Sequence, residues 1–407
     1  MKRVIVVGGG ASGLMAAFAA ARNGNAVTLI EKNEKLGKKI YITGKGRGNV
    51  TNDTDVRTFL ENVVTNPKFL QSSVSSFTPQ DTQRFMEENG TRLKTERGNR
   101  VFPVSDHASD ITRALKNACG SAGAEIRLNE RVTGIGVSDG AVTHVATEKG
   151  TYPCDCAIVC TGGMSYPATG STGDGYAFAR ACGHRVSRLF PALTGIELKG
   201  GIGARLSGLS LRNVRLTAAR GGKQAYGGMG EMLFTHYGIS GPLVLTLSSL
   251  LARENLAEYS LSVDLKPALS PEELDRRLVR ELDRGKDREM ANVAAELLPA
   301  KLIRPLLGVA GVPAEKQAKF VTRAERQRLG AALKDFRLSP VSARGFGEAI
   351  VTSGGIDVRE IDPRTMESRL VRGLRFCGEV LDVDALTGGF NMQIAFSTGY
   401  AAGNSVR

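Results

Sequence analysis

The sequence lacks a long apolar run, and this absence argues against a membrane-spanning helix. Its first residues, Met1-Lys2-Arg3, lead into a short apolar segment and then into glycines, without the small-residue cleavage site of a secretory signal. We therefore expect a cytoplasmic protein that does not associate with membranes. In that compartment its six cysteines are expected to be reduced.

Metal-binding cysteine pairs are also missing. Cys154, Cys156 and Cys160 lie close together, but their spacing does not match a Cys-x-x-Cys site and no histidine is near. We expect no metal and interpret these side chains as packed in the core, together with Cys377.

The composition is that of a globular protein with two or three domains: 407 residues, 42% hydrophobic and 23% charged. Its 49 glycines suit a chain that wraps backbone around a cofactor. The net charge of +13 fits a basic surface that neutralises an anionic cofactor, or a nucleic-acid partner. Because no basic run is interleaved with aromatic residues, we favour a small-molecule substrate over nucleic acid.

A glycine motif begins the chain, in the stretch "VIVVGGGASGLMAAFAA". The flanking residues predict a buried parallel strand at Lys2–Val7, a helix at Ser12–Asn23 and a second strand at Ala26–Ile30. This strand–helix–strand context is the one that a dinucleotide-binding motif requires.

Each glycine of this motif has a physical role. Gly8 permits a tight turn, Gly10 lets phosphate approach the backbone, and Gly13 lets the helix pack on the strand. The helix N-terminus then offers free N–H groups to the phosphates. Glu31 lies about 18 residues after Gly13, where an acid accepts hydrogen bonds from ribose hydroxyls.

A basic, glycine-rich loop follows, "EKNEKLGKKIYITGKGRGNVTN". Its amides and charges can line a long dinucleotide, and the alternative is a flexible solvated loop. The polar side chains at its end favour the binding role. The candidate residues of the loop are Lys32, Lys38, Thr43, Gly44, Gly46, Arg47, Asn49 and Thr51.

A similar pattern returns near the end of the chain. A strand at Leu374–Cys377 leads to Gly378 and Glu379, and a helix is expected to begin near Asn391, after glycines. In flavoproteins of the two-dinucleotide type, such a strand-end acid binds the ribityl chain and such a helix N-terminus faces the flavin ring. Between the two regions, Thr161-Gly162-Gly163 follows a strand and is expected to return toward the first glycine loop.

These motifs resemble the BaiN/RdsA family of NAD(P)/FAD-dependent oxidoreductases, over essentially the whole chain. The similar segments also include "RVFPVSDHASDI", "EMLFTHYGISGP" and "GEVLDVDALTGGFNMQ". One departure is Gly48, where the family usually has cysteine.

The resemblance implies FAD as cofactor and an activity such as bile-acid enone reduction or aminoacetone oxidation. It assigns further contacts to Ala11 and Ser12 at the pyrophosphate, to the backbone of Val132 at the adenine, and to Gly389, Phe390, Asn391 and Met392 at the ribityl chain and ring.

The middle of the chain interrupts this pattern. We predict an α/β fold in which an FAD-binding Rossmann-like domain (1–192 and 343–407) carries an insertion at 193–342. Short strands with glycine turns are expected at 193–266, and helices at 267–342. Ser270-Pro271-Glu272-Glu273 and Thr322-Arg323-Ala324-Glu325 have the capping-box spacing of helix starts.

The flavin carries the hydride, so the protein has to supply a pocket and a proton donor. His236, Tyr237 and Tyr166 are the candidate donors, and a structural role is the alternative for each. No second Gly-x-Gly-x-x-Gly follows a strand, so NAD(P)H is expected to visit the flavin transiently. We expect reduction of a carbon–carbon double bond conjugated to a ketone; an amine oxidase and an RNA-acting flavoprotein are the alternatives.

Overall fold

The computed structural model describes residues 1–407 and contains two compact units. The first comprises Met1–Ala192 and Gly345–Arg407, and the second Leu193–Arg344. The helices are α1 (Ala11–Arg22), α2 (Val56–Glu61), α3 (Pro67–Ser76), α4 (Pro79–Glu88), α5 (Ala108–Ser121), α6 (Asp174–Ala181), α7 (Ile202–Leu206), α8 (Pro242–Leu250), α9 (Pro271–Arg284), α10 (Met290–Ala294), α11 (Ala300–Ala310), α12 (Arg323–Lys334) and α13 (Phe390–Asn404).

The strands are β1 (Arg3–Val7), β2 (Ala26–Ile30), β3 (Thr51–Asn52), β4 (Val63–Thr65), β5 (Leu93–Glu96), β6 (Arg100–Pro103), β7 (Glu125–Arg127), β8 (Val132–Ser138), β9 (Ala141–Thr147), β10 (Gly150–Pro153), β11 (Cys156–Val159), β12 (Phe190–Ala192), β13 (Ile196–Leu198), β14 (Ser210–Arg220), β15 (Lys223–Phe234), β16 (Gly238–Ser240), β17 (Ser260–Asp264), β18 (Phe336–Leu338), β19 (Pro340–Ala343), β20 (Val351–Ser353), β21 (Leu374–Phe376) and β22 (Asp384–Ala385).

A five-stranded parallel sheet lies at the centre of the first unit, in the order β21–β11–β1–β2–β7. β1 pairs in parallel with β2 from Arg3 to Val7 and with β11 from Val4 to Val7. Its inner strands are almost wholly apolar, as expected for a parallel sheet buried on both faces. The predicted α/β fold class is confirmed. The carboxyl ends of these strands meet at one edge, where open α/β sheets bind ligands.

Small residues join the first helix to the last. A Cβ atom at Gly399 would overlap the backbone of Ser12, and one at Gly403 would overlap the carbonyl of Ala16. Helices α1 and α13 therefore pack with their backbones in close contact. This contact holds the first and last helices of the unit together.

The second unit contains an antiparallel seven-stranded sheet, β18–β17–β14–β15–β16–β13–β19, and helices α7–α12. The expectation of short strands was wrong for β14 and β15, which have 11 and 12 residues and form one long hairpin. Only Gly221-Gly222 forms its turn. Gly228 and Gly230 lie inside β15, where a Cβ atom would come within 3.2 Å and 3.4 Å of Leu243 on α8. These glycines serve packing rather than turning.

Both predicted capping boxes are present. The side chain of Ser270 accepts the amide of Glu273 at the start of α9, and Thr322 accepts that of Glu325 at the start of α12. No helix of the structure has the length and apolar character needed to cross a bilayer.

Candidate functional site

The glycine loop lies between β1 and α1. Gly8 has φ +103°, and a Cβ atom there would lie 2.7 Å from the carbonyl oxygen of Cys160. A Cβ atom at Gly13 would overlap the carbonyl of Gly8, whereas one at Gly10 would meet no atom within 4 Å. The loop is thus closed toward the sheet and open at Gly10. Helix α1 starts there without a side-chain cap or an acidic residue in its first turn, so no side chain of the helix start occupies the amides at Ala11 and Ser12, and such amides suit an anion.

Glu31 follows β2 at the same edge of the sheet and is 8% exposed. Its Oε2 accepts the amide of Gly9 at 2.6 Å, and its Oε1 accepts the amide of Asn33 at 2.8 Å. The carboxylate is therefore fixed against the glycine loop. Since the amide of Glu130 donates to the carbonyl of Glu31 at 3.1 Å, the segment that leads to Val132 also lies beside it.

Lys32 and Lys38, two basic residues of the following loop, are paired within the protein. Lys32 Nζ lies 2.6 Å from Thr172 Oγ1 and 2.9 Å from Asp174, and Lys38 Nζ lies 3.0 Å from Glu34. Thr43, Gly44 and Gly46 belong to a 3-10 helix, Ile40–Gly46, which departs from helical geometry at Gly44 (φ +56°). This segment is an ordered turn.

Arg47 is held by two acids. It pairs with Glu96, and with Asp106 at 2.7 Å, and its guanidinium lies 4.3 Å from the centre of the Phe102 ring. The hydrogen bonds that Arg47 donates to Glu96 and Asp106 raise the pKa of Arg47. Arg47 lowers the pKa of Glu96, and the Lys94 ammonium, followed by Arg47, lowers the pKa of Asp106. Any contribution of Arg47 to a cofactor would be made from within this cluster.

Glu379 anchors a network that the sequence does not reveal. Its Oε2 lies 2.6 Å from Lys39 Nζ, and its Oε1 accepts the amide of Thr352 at 2.9 Å. The Thr352 hydroxyl in turn accepts the amides of Met164 at 2.8 Å and Ser165 at 3.2 Å. Four separate segments thereby meet at one carboxylate. Lys39 and Thr352 lie 340 and 27 residues from Glu379 in the sequence, so no local motif links them to this acid.

The start of α13 lies against the end of the basic loop. Gly389 has φ +101° and would overlap the backbone of Thr51 if it carried a Cβ atom. Thr51 Oγ1 donates to Gln393 Oε1 at 2.6 Å. Asn49 Nδ2 donates to the carbonyls of Thr51 at 3.0 Å and Val101 at 3.1 Å, so both polar side chains fix the backbone here.

Helix α13 has no side-chain cap and no acidic residue in its first turn. The side chain of Asn391 bonds the backbone of Ala385 in both directions, at 3.0 Å and 2.7 Å, so only its backbone amide is free for a ligand. Phe390 is buried and Met392 is half-buried.

Two further glycine-containing segments, each of which follows a strand of the parallel sheet, complete the site. Thr161 contacts Gly8, and Gly162 (φ +71°) follows it. A Cβ atom at Gly163 would lie 2.9 Å from Glu379 Oε1, and one at Gly378 (φ +75°) 2.6 Å from Ser12 Oγ. The first unit thus brings both predicted cofactor regions together. A backbone cradle that Cβ atoms would fill, two uncapped helix N-termini and an oriented acid fit the phosphates, ribose and ring of FAD.

The thiols near this cradle are buried. Cys160 and Cys377 follow neighbouring strands, and their sulfur atoms lie 3.1 Å apart. Burial raises the pKa of the Cys160 thiol well above its ordinary value. Such a thiol is a poor nucleophile, and both side chains act as part of the core.

The three candidate proton donors have different settings. Tyr166 belongs to the first unit, is half-buried and has φ +53°, a strained conformation for a bulky residue. Its amide donates to the carbonyl of Phe346 at 3.0 Å. In the second unit His236 is exposed, with its ring centre 5.1 Å from that of Tyr237, and the Arg344 guanidinium lies 4.6 Å from the Tyr237 ring centre.

Comparison with known proteins agrees with this architecture. The model of the family described as "HI0933-like protein Rossmann domain" matches residues 2–405. The chain belongs to this family. This membership confirms the resemblance drawn from the motifs. The family is one of FAD-dependent oxidoreductases.

Several relatives match this chain at nearly full length. A 3-dehydro-bile acid delta(4,6)-reductase of Clostridium scindens is 32% identical, over 100% of this chain and 99% of that protein. A ribosomal RNA dihydrouridine synthase of Haemophilus influenzae is 33% identical, over 99% of this chain and 98% of that protein.

Among solved structures, 3-ketosteroid delta1-dehydrogenase of Sterolibacterium denitrificans has a TM-score of 0.54 and 13% identity, over 99% of this chain and 98% of that chain. This likeness concerns the fold alone.

Proposed function

We propose that this chain reduces a carbon–carbon double bond conjugated to a ketone, with NAD(P)H as a transient electron donor. The observation that carries the proposal is the meeting of the two halves of the cradle at Ser12. Gly378 and Gly399 both approach this residue, so the open glycine loop and the second uncapped helix lie side by side, which supports a single FAD site. The bile-acid reductase relative supports an enone as substrate.

Bound FAD would supply a hydride from its ring to the carbon β to the carbonyl. The N-terminal amides of α13 would face the end of the ring where negative charge grows on reduction, and the helix dipole favours that charge. Glu379, held by Lys39 and Thr352, would fix the ribityl chain. The Tyr166 hydroxyl would hold the proton that reaches the α carbon, from a loop anchored to Thr352.

An anaerobic titration of the FAD-loaded protein with NADPH, and then with NADH, tests the proposal by visible absorbance. We expect the flavin to bleach, and its colour to return when a 3-keto-4-ene steroid is added. Glu31→Ala, which is expected to bind FAD more weakly, is the control: after it has been reloaded with FAD, bleaching should return if only the cofactor had been lost. A flavin that stays oxidised with both nucleotides but bleaches with a small amine, releasing peroxide in air, would favour the oxidase and overturn the proposal.

A second candidate is reduction of uridine in RNA. Dihydrouridine differs from uridine by reduction of a ring double bond conjugated to a carbonyl, so the flavin chemistry is the same. Two observations favour it: the name of the Haemophilus relative, and the basic charge of the second unit, where Leu193–Arg344 has 24 Lys and Arg against 16 Asp and Glu. Reoxidation of the bleached protein by a uridine-containing RNA, and not by the steroid, would select this candidate.

A further inference from the structure

One side chain among the phenylalanines and tyrosines of this protein lies open to solvent. Of 15 Phe and 8 Tyr residues, Phe320 alone is exposed, with 62% of its surface accessible. It ends a short 3-10 helix, Ala318–Phe320, just before α12. A single exposed apolar residue is ordinary by itself. Its surroundings give it significance.

Basic residues flank the ring. Lys319 Nζ lies 5.4 Å from the centre of the Phe320 ring. The amide of Lys319 donates to the carbonyl of Lys286 at 2.9 Å, which places Lys286 beside it. One acid is present, since Asp287 lies 3.0 Å from Lys319 Nζ. Two lysines thus lie beside the ring, and Asp287 is the counter-charge of Lys319.

A row of arginines leads to the same place. Helix α9 packs against the 3-10 helix and ends two residues before Lys286. Its leucines at 274, 278 and 282 are buried, whereas Arg276, Arg280 and Arg284 are exposed on the opposite side. None of these three arginines forms an ion pair in the structure. Residues four apart on a helix are separated by about 6 Å along its axis, so the three cations are evenly spaced. The acids Glu272 and Asp283 are also exposed on this helix, and the pKa of Glu272 is lowered by hydrogen bonds from its own backbone amide and from Ser270, and then by the charge of Arg276.

We propose that Arg276, Arg280, Arg284, Lys286, Lys319 and Phe320 form a binding surface for single-stranded RNA, named here the Phe320 surface. Spaced cations suit a phosphate backbone, and an exposed ring beside them suits stacking of an unpaired base. An acidic protein would not require the ring, and a lipid surface would require a broader apolar face. The inference deepens the second candidate function and rests on it for the source of the RNA, but binding is measurable without catalysis.

The test is fluorescence anisotropy of a labelled single-stranded RNA of about twenty nucleotides. This length exceeds the number of nucleotides that one OB-fold domain usually binds. The protein is the FAD-loaded full chain, studied at several salt concentrations. We expect Phe320→Ala to weaken binding roughly tenfold while the salt dependence stays unchanged, because stacking is not ionic. Phe320→Tyr keeps the ring and should bind as the wild type does.

Removal of charged side chains should instead reduce the salt dependence of RNA binding. For Arg280→Ala with Arg284→Ala, the slope of log affinity against log salt should fall by about 1.4, or 0.7 for each lost phosphate contact. The control is Arg57→Ala with Lys68→Ala, which removes two exposed charges from α2 and α3 in the first unit. Equal losses in both double variants would mean general attraction and overturn the proposal, as would unchanged RNA binding by Phe320→Ala.

The two proposals fail separately. Flavin content and bleaching by NAD(P)H should be unchanged in all these variants, because the substitutions lie outside the cradle. A variant that loses RNA binding but bleaches normally supports the Phe320 surface. Binding of vesicles rich in phosphatidylserine through Phe320, without RNA binding, would overturn it.

Discussion

The carboxylate of Glu31 both anchors the glycine loop and is expected to bind the ribose. We expect Glu31→Ala to weaken FAD binding roughly tenfold to hundredfold, since a charge-assisted hydrogen bond contributes about 1.5–3 kcal/mol. Calorimetric titration of the apoprotein with FAD measures this change. Glu34→Ala removes a nearby exposed acid and is the control. Equal affinity of Glu31→Ala and wild type would remove Glu31 from the cofactor site.

Tyr166 is the second residue whose chemistry can be isolated. Tyr166→Phe keeps the ring and its strained backbone but removes the hydroxyl. We expect enone reduction to slow by roughly 10²-fold or more, as for loss of a general acid, with no change in bleaching by NAD(P)H. Stopped-flow absorbance separates the two half-reactions. Tyr237→Phe and His236→Ala are matched variants. If enone reduction is slowed in only one of these two variants and not in Tyr166→Phe, the substituted residue of that variant is the proton donor instead.

At the level of elements, the capping box of α12 gives a pH prediction. The Lys316 ammonium and then the Thr322 amide lower the pKa of Glu325 from its usual 4.5 to about 2. Because the folded-state pKa is lowered, the stabilisation is present above pH 4.5 and is lost as pH falls toward 2. Glu325→Gln should therefore lower the free energy of unfolding at pH 7, and its difference from wild type should shrink in acid.

Thermal unfolding at pH 7 and at pH 3 measures this difference. Glu315→Gln is the control, since its partner Arg304 lies on an exposed surface and such pairs contribute little. A difference between Glu325→Gln and wild type that stays constant with pH would contradict the role of the charge.

Local signals made some elements predictable and others not. The capping boxes at Ser270 and Thr322 could be predicted because a cap and its acid lie three residues apart. The β1–α1–β2 unit could be predicted because its glycines separate two buried runs. The length of β15 could not, because Gly228 and Gly230 resemble turn residues until their contact with Leu243 on α8 is known.

The whole first unit depends on the contact between α1 and α13. Gly399→Ala would place a methyl group against the Ser12 backbone, and overpacking of this kind costs about 1–3 kcal/mol. We expect a lower melting temperature together with weaker FAD retention, because Ser12 belongs to the glycine loop. Gly120→Ala on α5, where a Cβ atom meets nothing within 4 Å, is the matched control. If Gly399→Ala lowers the melting temperature but leaves FAD retention unchanged, the contact between α1 and α13 does not support the cofactor site.

Long-range partners mark the limit of sequence reasoning at this scale. The glycine loop and the α13 start could be assigned to one cofactor from their local patterns. The ion pair between Lys39 and Glu379 joins residues that no pattern connects, and the acids that hold Arg47 lie 49 and 59 residues away from it. The exposed ring of Phe320 has no sequence signal either, because exposure is a property of the folded chain.

The order of synthesis gives the discontinuous first unit a further consequence. Its parallel sheet lacks β21, and α1 lacks its partner α13, until residues 374–404 have left the ribosome. The second unit is contiguous, so it can fold while the first is still incomplete. We therefore expect cofactor loading to follow the synthesis of α13, and a nascent chain stalled before Leu374 should emerge with a folded insertion and no flavin.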